Sequence, residues 1–169
     1  WVLQEYINNP LLYNDRKFHM RGYFIYHKYL NSHESFLLDN MRIYTAILPF
    51  KQNDYLNKGI HDTHAEGSLK LISYKTHIKD IINKNSKKFE SDLIYLFKVI
   101  SEKIMIGAKC YIENKACYHI FGFDIMITDD YQIKILEINL DPGLRDDNKF
   151  NSSYNLLNNI FINIIDKHF

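Results

Sequence analysis

The sequence predicts an α+β fold, an antiparallel sheet with flanking helices, and two kinds of pattern carry that expectation. Residues 17–27 alternate apolar and polar side chains at the period of a strand, and residues 121–139 read as two more strands around a polar turn. Phe89, Leu93, Leu96, Phe97, Ile100 and Ile104 instead recur at helical spacing. With 169 residues, 46% of them hydrophobic, the chain has about the length of one domain and enough apolar side chains for a core.

In chain order, residues 1–7 are apolar and β-prone and give way to a loop at Asn8, Asn9 and Pro10. Along 17–27, Phe18, Met20, Phe24 and Tyr26 form an apolar face interrupted by Gly22, while Lys17, His19 and Arg21 form a polar, largely cationic line. Residues 35–49 predict one or two further strands, and 53–68 have the polar, glycine-containing character of a functional loop. A shorter helical stretch is expected over 69–84. The amphipathic helix is expected to run from a cap region at Ser91 to a stop at Gly107. Leu156, Leu157, Ile160 and Ile164 mark a terminal helix over 153–168 that would cover the sheet. No internal repeat or low-complexity linker interrupts this order.

The formal net charge of +1, from 21 Lys+Arg and 20 Asp+Glu, leaves no global field that would favour nucleic acid or membrane as a partner. Cys110 and Cys117 are too few for a disulfide framework and are expected as free thiols. With no signal peptide and no apolar run near the ~18 residues of a membrane span, the chain reads as cytoplasmic.

The hairpin FGFDIMITDDYQIKILEIN over 121–139 carries the chemistry. Period-two geometry puts Glu137 and Asn139 on one face. A turn at Asp130 and Tyr131 places Asp124 across from Glu137, and opposed residues of an antiparallel pair point to one side. Three oxygen donors then converge. Mg²⁺ at a nucleotide takes one or two carboxylates and completes its shell with phosphate and water, so the hairpin reads as a Mg²⁺–nucleotide platform. The alternative is a half-exposed hairpin with a polar solvent face. Ile125, Ile127, Leu136 and Ile138 are expected to be buried on the opposite face from the acids.

These residues resemble the metal-binding hairpin of the tubulin tyrosine ligase family, a branch of the ATP-grasp enzymes that join a carboxylate to an amine using ATP. Residues 2–12 (VLQEYINNPLL), 16–21 (RKFHMR) and 44–50 (YTAILPF) resemble the same family in the same order and frame nearly the whole chain. The resemblance implies that residues 1–169 are the C-terminal part of an ATP-grasp catalytic domain. Nothing in them resembles the family's earlier glycine-rich loop or its phosphate-closing lysine, and the chain opens on Trp1, so the N-terminal lobe is expected to be absent. Abundant Asn, Lys, Ile and Tyr suit the AT-rich genome of a protist.

By the same resemblance, Gln4, Glu5, Tyr6 and Ile7 match the segment linking two lobes, where adenine is read mainly through the backbone; a buried strand is the compatible structural reading. Lys17 matches a lysine near the nucleotide phosphates, and Arg21 an arginine that holds a carboxylate or acyl phosphate. An exposed basic strand face is the alternative for both. The pattern is broken at His19, where the family commonly has aspartate, and at Tyr44, where it has arginine. Arg42 precedes Tyr44 by two residues, so on a strand it shares its face and stands as a candidate for the missing guanidinium. His61, Asp62, Thr63 and His64 match a family motif beside the ribose and substrate. His-x-x-His with one acid fits no strong zinc spacing, and a loop of solvated histidines is the preferred reading. Pro142 keeps the turn after the last oxygen donor while Gly143 departs from the family's ending, and Asp141 joins the metal face only if the strand continues that far.

The resemblance implies a ligase whose cofactors are ATP and Mg²⁺, with Asp124, Glu137 and Asn139 on the metal and Lys17, Arg21 and Arg42 on the anions. The expected substrates are a free amino acid, with tyrosine favoured over glutamate and glycine, and tubulin as acceptor, which would associate the protein with microtubules. The alternative is a non-catalytic nucleotide- or tubulin-binding module that has lost the groups at His19 and Tyr44; a bland structural fragment is the third reading. The isolated chain is expected to show weak or no catalysis.

Overall fold

A computed structural model describes residues 3–29, 32–38, 41–64, 70–71, 81–82, 86–107 and 117–143. The strands are β1 (Leu12–Tyr13), β2 (Arg16–Tyr29), β3 (Ser32–Leu37), β4 (Arg42–Thr45), β5 (Lys70–Leu71), β6 (Cys117–Ile127) and β7 (Ile133–Asn139); the helices are α1 (Lys58–His61) and α2 (Ser86–Gly107). They build one seven-stranded sheet along β5-β4-β2-β6-β7, with β1 and β3 also paired to β2. Every ladder is antiparallel.

The spine is β2, because its 14 residues are long enough to pair with β4 over one half, β3 over the other and β6 along the opposite edge. Its alternation works as the sequence predicts. Phe18, Met20, Phe24 and Tyr26 enter a core with Ile43, Phe121, Phe123, Ile125 and Ile127, covered by Phe89, Leu93 and Phe97 of α2. The gap in the apolar row at Gly22 is filled by a neighbour: a Cβ there would lie 2.2 Å from the Phe123 ring. A smaller cluster of Tyr23 and Ile25 with Phe36, Leu38 and Ile120 forms on the other face.

Two turns set the registers. Asn14 (φ 50°) and Asp15 (φ 60°) link β1 to β2 with two consecutive left-handed residues, as a type I′ hairpin requires. Between β6 and β7, the Thr128 hydroxyl accepts from the Gln132 backbone N–H (3.0 Å) and donates to the Asp130 carboxylate. This turn centres on Asp130, since Ile127 pairs with Ile133, and a bulge between Asp124 and Ile125 then restores the pairing of Asp124 with Glu137.

That bulge corrects the expected burial on β7. The extra residue is Leu136, so Ile133 and Ile135 pack on the core and Leu136 does not; Ile138 still pairs with Phe123 but, on the outermost strand, is 37% exposed. Other expectations also move. Residues 3–7 form no strand, with Gln4 and Glu5 exposed. Within 69–84, Lys70 and Leu71 pair with β4, while Ile81 and Ile82 are helical and buried. Helix α2 begins at Ser86; Ser91 lies inside it, donating to the Lys88 carbonyl at 2.8 Å. Cys117 is disulfide-bonded rather than a free thiol, and Cys110, the other cysteine of the chain, lies outside the described residues. The terminal helix expected over 153–168 also lies outside them. Among the described residues, no helix is long and apolar enough to cross a membrane.

Candidate active site

Register places four charged residues in one row across the sheet: Arg42 opposes Arg21, Arg21 opposes Asp124, and Asp124 opposes Glu137. Opposed side chains leave the same face, so this row stands opposite the aromatic core. His19 and Tyr44 oppose each other one pleat along, and Tyr23, Gly122 and Asn139 align in the other direction. At Gly122 a Cβ would come within 2.7 Å of Pro142 Cβ, so the missing side chain lets the segment after β7 fold back. The Tyr23 hydroxyl donates to the Gly143 carbonyl there (3.3 Å). Asp141 lies beyond the end of β7 and is exposed, so strand parity does not carry it to Glu137 and Asn139.

Asp124 is 4% exposed, and a carboxylate so deep needs a partner. Arg21 supplies it from the opposing position: its Nε donates to Oδ1, and its terminal nitrogen donates to Oδ2 at 2.5 Å. The hydrogen bond to Asp124 raises the Arg21 pKa against the opposing effect of burial. The same terminal nitrogen lies 3.6 Å from Glu137 Oε1, to which Asn139 Nδ2 donates at 2.8 Å. Asp124, Glu137 and the Asn139 carbonyl are an all-oxygen donor set on one face, and Glu137 is open to solvent. This chemistry fits Mg²⁺, which leaves part of its shell to water and phosphate. Arg21 uses one lone pair on each Asp124 oxygen, and a carboxylate has about four acceptor sites.

Lys17 shares the face of Arg21 but takes a different partner. It is 6% exposed, and its Nζ lies 4.4 Å from the centroid of the Tyr6 ring. Burial lowers its pKa. The Tyr6 hydroxyl is 2.9 Å from His61 Nδ1, and His61 Nε2 is 2.8 Å from the Asp54 carbonyl. A carbonyl only accepts, so Nε2 carries the proton and Nδ1 accepts from Tyr6. Helix α1, capped by the Asn57 side chain on the Gly59 N–H (3.1 Å), carries His61 into this contact. The linker segment 4–7, Lys17 and the 54–64 loop therefore meet at one end of the face. Gln4 and Glu5 point to no partner in it, while Tyr6 and Ile7 are half-buried.

His19 lies between the Lys17 and Arg21 ends. Its ring is 2% exposed, stacks on Tyr44 at 5.0 Å with an interplanar angle of 4°, and lies 4.7 Å from the His64 ring. Nδ1 is bonded to Thr63 Oγ1 at 2.5 Å. Burial first, then His64 and Arg21, push its pKa down to about 3, outweighing the opposite pull of Glu137. Here is a neutral imidazole in a charged row. The sequence flagged His19 and the 61–64 loop separately, and strand parity carries no signal that joins a strand residue to a loop. Arg42 is on the same face as Tyr44, as its spacing predicts.

Residues 1–168 match the sequence profile of the Tubulin-tyrosine ligase family. The chain is 29% identical over 167 residues to tubulin glycylase 3F of Tetrahymena thermophila, covering 87% of this chain and 17% of that protein. It is 25% identical over 171 residues to a probable tubulin–tyrosine ligase of Schizosaccharomyces pombe, covering 98% of this chain and 41% of that protein. With a probable tubulin polyglutamylase of Mus musculus it shares 24% identity over 157 residues, 85% of this chain and 33% of that protein. The chain thus spans less than half the length of these curated relatives.

Proposed function

This chain belongs to the Tubulin-tyrosine ligase family, and from that premise we propose that it forms part of an ATP-dependent carboxylate–amine ligase that adds an amino acid to a protein acceptor, tubulin. The relatives named above are a glycylase, a probable tyrosine ligase and a probable polyglutamylase, each described as acting on tubulin. The observation that carries the reading is the row Arg42–Arg21–Asp124–Glu137, with Lys17 and Asn139 on the same face. Cations and carboxylates facing one another suit a reaction that moves a phosphoryl group onto a carboxylate.

In this reading the acceptor carboxylate attacks the γ-phosphorus of ATP, ADP leaves, and an acyl phosphate forms. The amino-acid amine attacks its carbonyl, phosphate departs, and the proton lost from the amine passes to solvent. Arg21 and Arg42 offset the charge of the carboxylate and the transferring group, and Lys17 does so for the nucleotide phosphates. The backbone of Gln4, Glu5, Tyr6 and Ile7 would read the adenine, a role supported by the contact of the Tyr6 ring with Lys17. Mg²⁺, when held by Asp124, Glu137 and Asn139, neutralises developing phosphoryl charge. Tyrosine is the donor that the 16–21 segment favours, and a tubulin acceptor would place the protein in the cytoplasm on microtubules.

One observation favours the non-catalytic module as a second reading: the stacked rings of His19 and Tyr44 stand where the family has an acid and a guanidinium. Calorimetric titration of a Mg²⁺–ATP analogue into the full-length protein, beside an Asp124→Ala, Glu137→Ala double variant, tests the site. Binding that requires the two acids supports it. Turnover on tubulin with tyrosine, glutamate or glycine then separates ligase from module, and no acid-dependent nucleotide binding would sink the ligase and move the binding-module reading to first place.

A further inference from the structure

Among the described residues, His19 Nε2 is buried without a hydrogen-bond partner, whereas buried polar atoms in proteins are nearly always paired. Asp124 Oδ1 is 3.8 Å from it, too far for a hydrogen bond. The other ring nitrogen is held: Thr63 Oγ1 sits on Nδ1 at 2.5 Å. If Nδ1 donates to that hydroxyl, Nε2 is left with a lone pair 3.8 Å from Asp124 Oδ1. That second contact is how proteins usually orient a ligating imidazole. His64, exposed and on the adjacent loop, closes the third side: one ring nitrogen of His19, one of His64 and one Asp124 oxygen all lie within 4.8 Å of one another.

We infer that His19, His64 and Asp124 form a binding site for a first-row divalent transition metal of the zinc class. Two imidazoles and one carboxylate suit Zn²⁺ or Co²⁺, and Mg²⁺ is a poor match for nitrogen donors. Metal–ligand bonds of about 2 Å bring neighbouring donors roughly 3.3 Å apart, so the site closes by a modest swing of the exposed His64 side chain onto the fixed His19–Asp124 edge. Three protein ligands leave a position open for water or a substrate group. Arg21 does not preclude it, because a carboxylate offers about four acceptor positions and the guanidinium occupies two. The site is also not the His-x-x-His spacing visible in the sequence. His61 spends both ring nitrogens on Tyr6 and Asp54, and His64 pairs instead with a histidine on β2.

The inference stands without the nucleotide reading, and its test uses no nucleotide. Co²⁺ is titrated into the chelator-treated protein while the ligand-field absorbance is followed. The expected result is one equivalent of Co²⁺ in a low-symmetry, nitrogen-containing environment, displaced by Zn²⁺. His64→Gln, at an exposed position, is expected to weaken binding by at least tenfold, and Thr63→Val by roughly tenfold through loss of the orienting contact. His119→Gln, an exposed histidine elsewhere on β6, should change nothing. Absence of Co²⁺ binding, or binding that survives His64→Gln, or binding that His119→Gln abolishes, would overturn the site.

Discussion

Arg21 and Asp124 oppose each other across the β2–β6 ladder, and both carboxylate oxygens accept from one guanidinium. The pairing explains how a carboxylate can sit 4% exposed in a sheet whose other face is aromatic. It also turns Arg21 into a bridge, since the same guanidinium reaches toward Glu137. Arg42, directly opposite Arg21, would raise the local charge without those acids. The site is thus a balance of two arginines against two carboxylates.

Breaking a buried pair from one side strands the other charge. Arg21→Ala is expected to cost roughly 3–5 kcal/mol of stability. Arg21→Met combined with Asp124→Leu should cost clearly less, because neither charge is left alone. Urea unfolding of both variants decides it, and an Arg21→Ala loss below about 1 kcal/mol would mean the pair is not desolvated as described.

Gly22 lies under the Phe123 ring, and an added Cβ would meet the ring at 2.2 Å. Since Phe123 is fully buried, the ring has little room to retreat. Gly22→Ala is expected to destabilise by roughly 1–3 kcal/mol, with part of the loss recovered by Phe123→Leu in the same chain. A Gly22→Ala protein with unchanged melting temperature would contradict this packing.

His19 gives the fold a pH dependence of definite sign. Its pKa is depressed to about 3 in the folded chain, so between there and the unfolded value near 6.5 the unfolded state binds the extra proton. The contribution is fully present above about pH 6.5 and is lost as the pH falls toward 3. In chelator-containing buffer, stability is expected to drop by roughly 2–3 kcal/mol from pH 7 to pH 4 on this account, and His19→Asn should flatten that slope. A slope that His19→Asn leaves untouched would assign the dependence to other groups.

Tyr6 makes two separable contacts, its hydroxyl to His61 and its ring to Lys17. Tyr6→Phe keeps the ring and should cost about 1 kcal/mol, while Tyr6→Leu should cost a further 0.5–1 kcal/mol. Thermal unfolding of the pair separates the two contributions, and equal losses would show that the ring contact adds nothing.

The sequence alone determined which residues alternate and therefore which face of β2 is apolar, and that β6 and β7 form a hairpin. These are local properties, set by the period of a strand and the chemistry of a turn. It also carried the family resemblance, through short motifs in the right order. Tertiary structure alone decided the rest. The bulge at Leu136 kept Asp124 opposite Glu137 and moved burial from Leu136 to Ile135, because the turn alone would have set Leu136 opposite Asp124. The segment 3–7 stayed out of the sheet although its composition is β-prone, since edge pairing depends on which backbone lies alongside. The binding of Arg21 to Asp124, the parting of Lys17 toward Tyr6, and the meeting of His19 with His64 join residues 103, 11, and 45 positions apart only through the path of the chain. Periodicity fixes the side of a strand a side chain leaves from, and only packing fixes what it finds there.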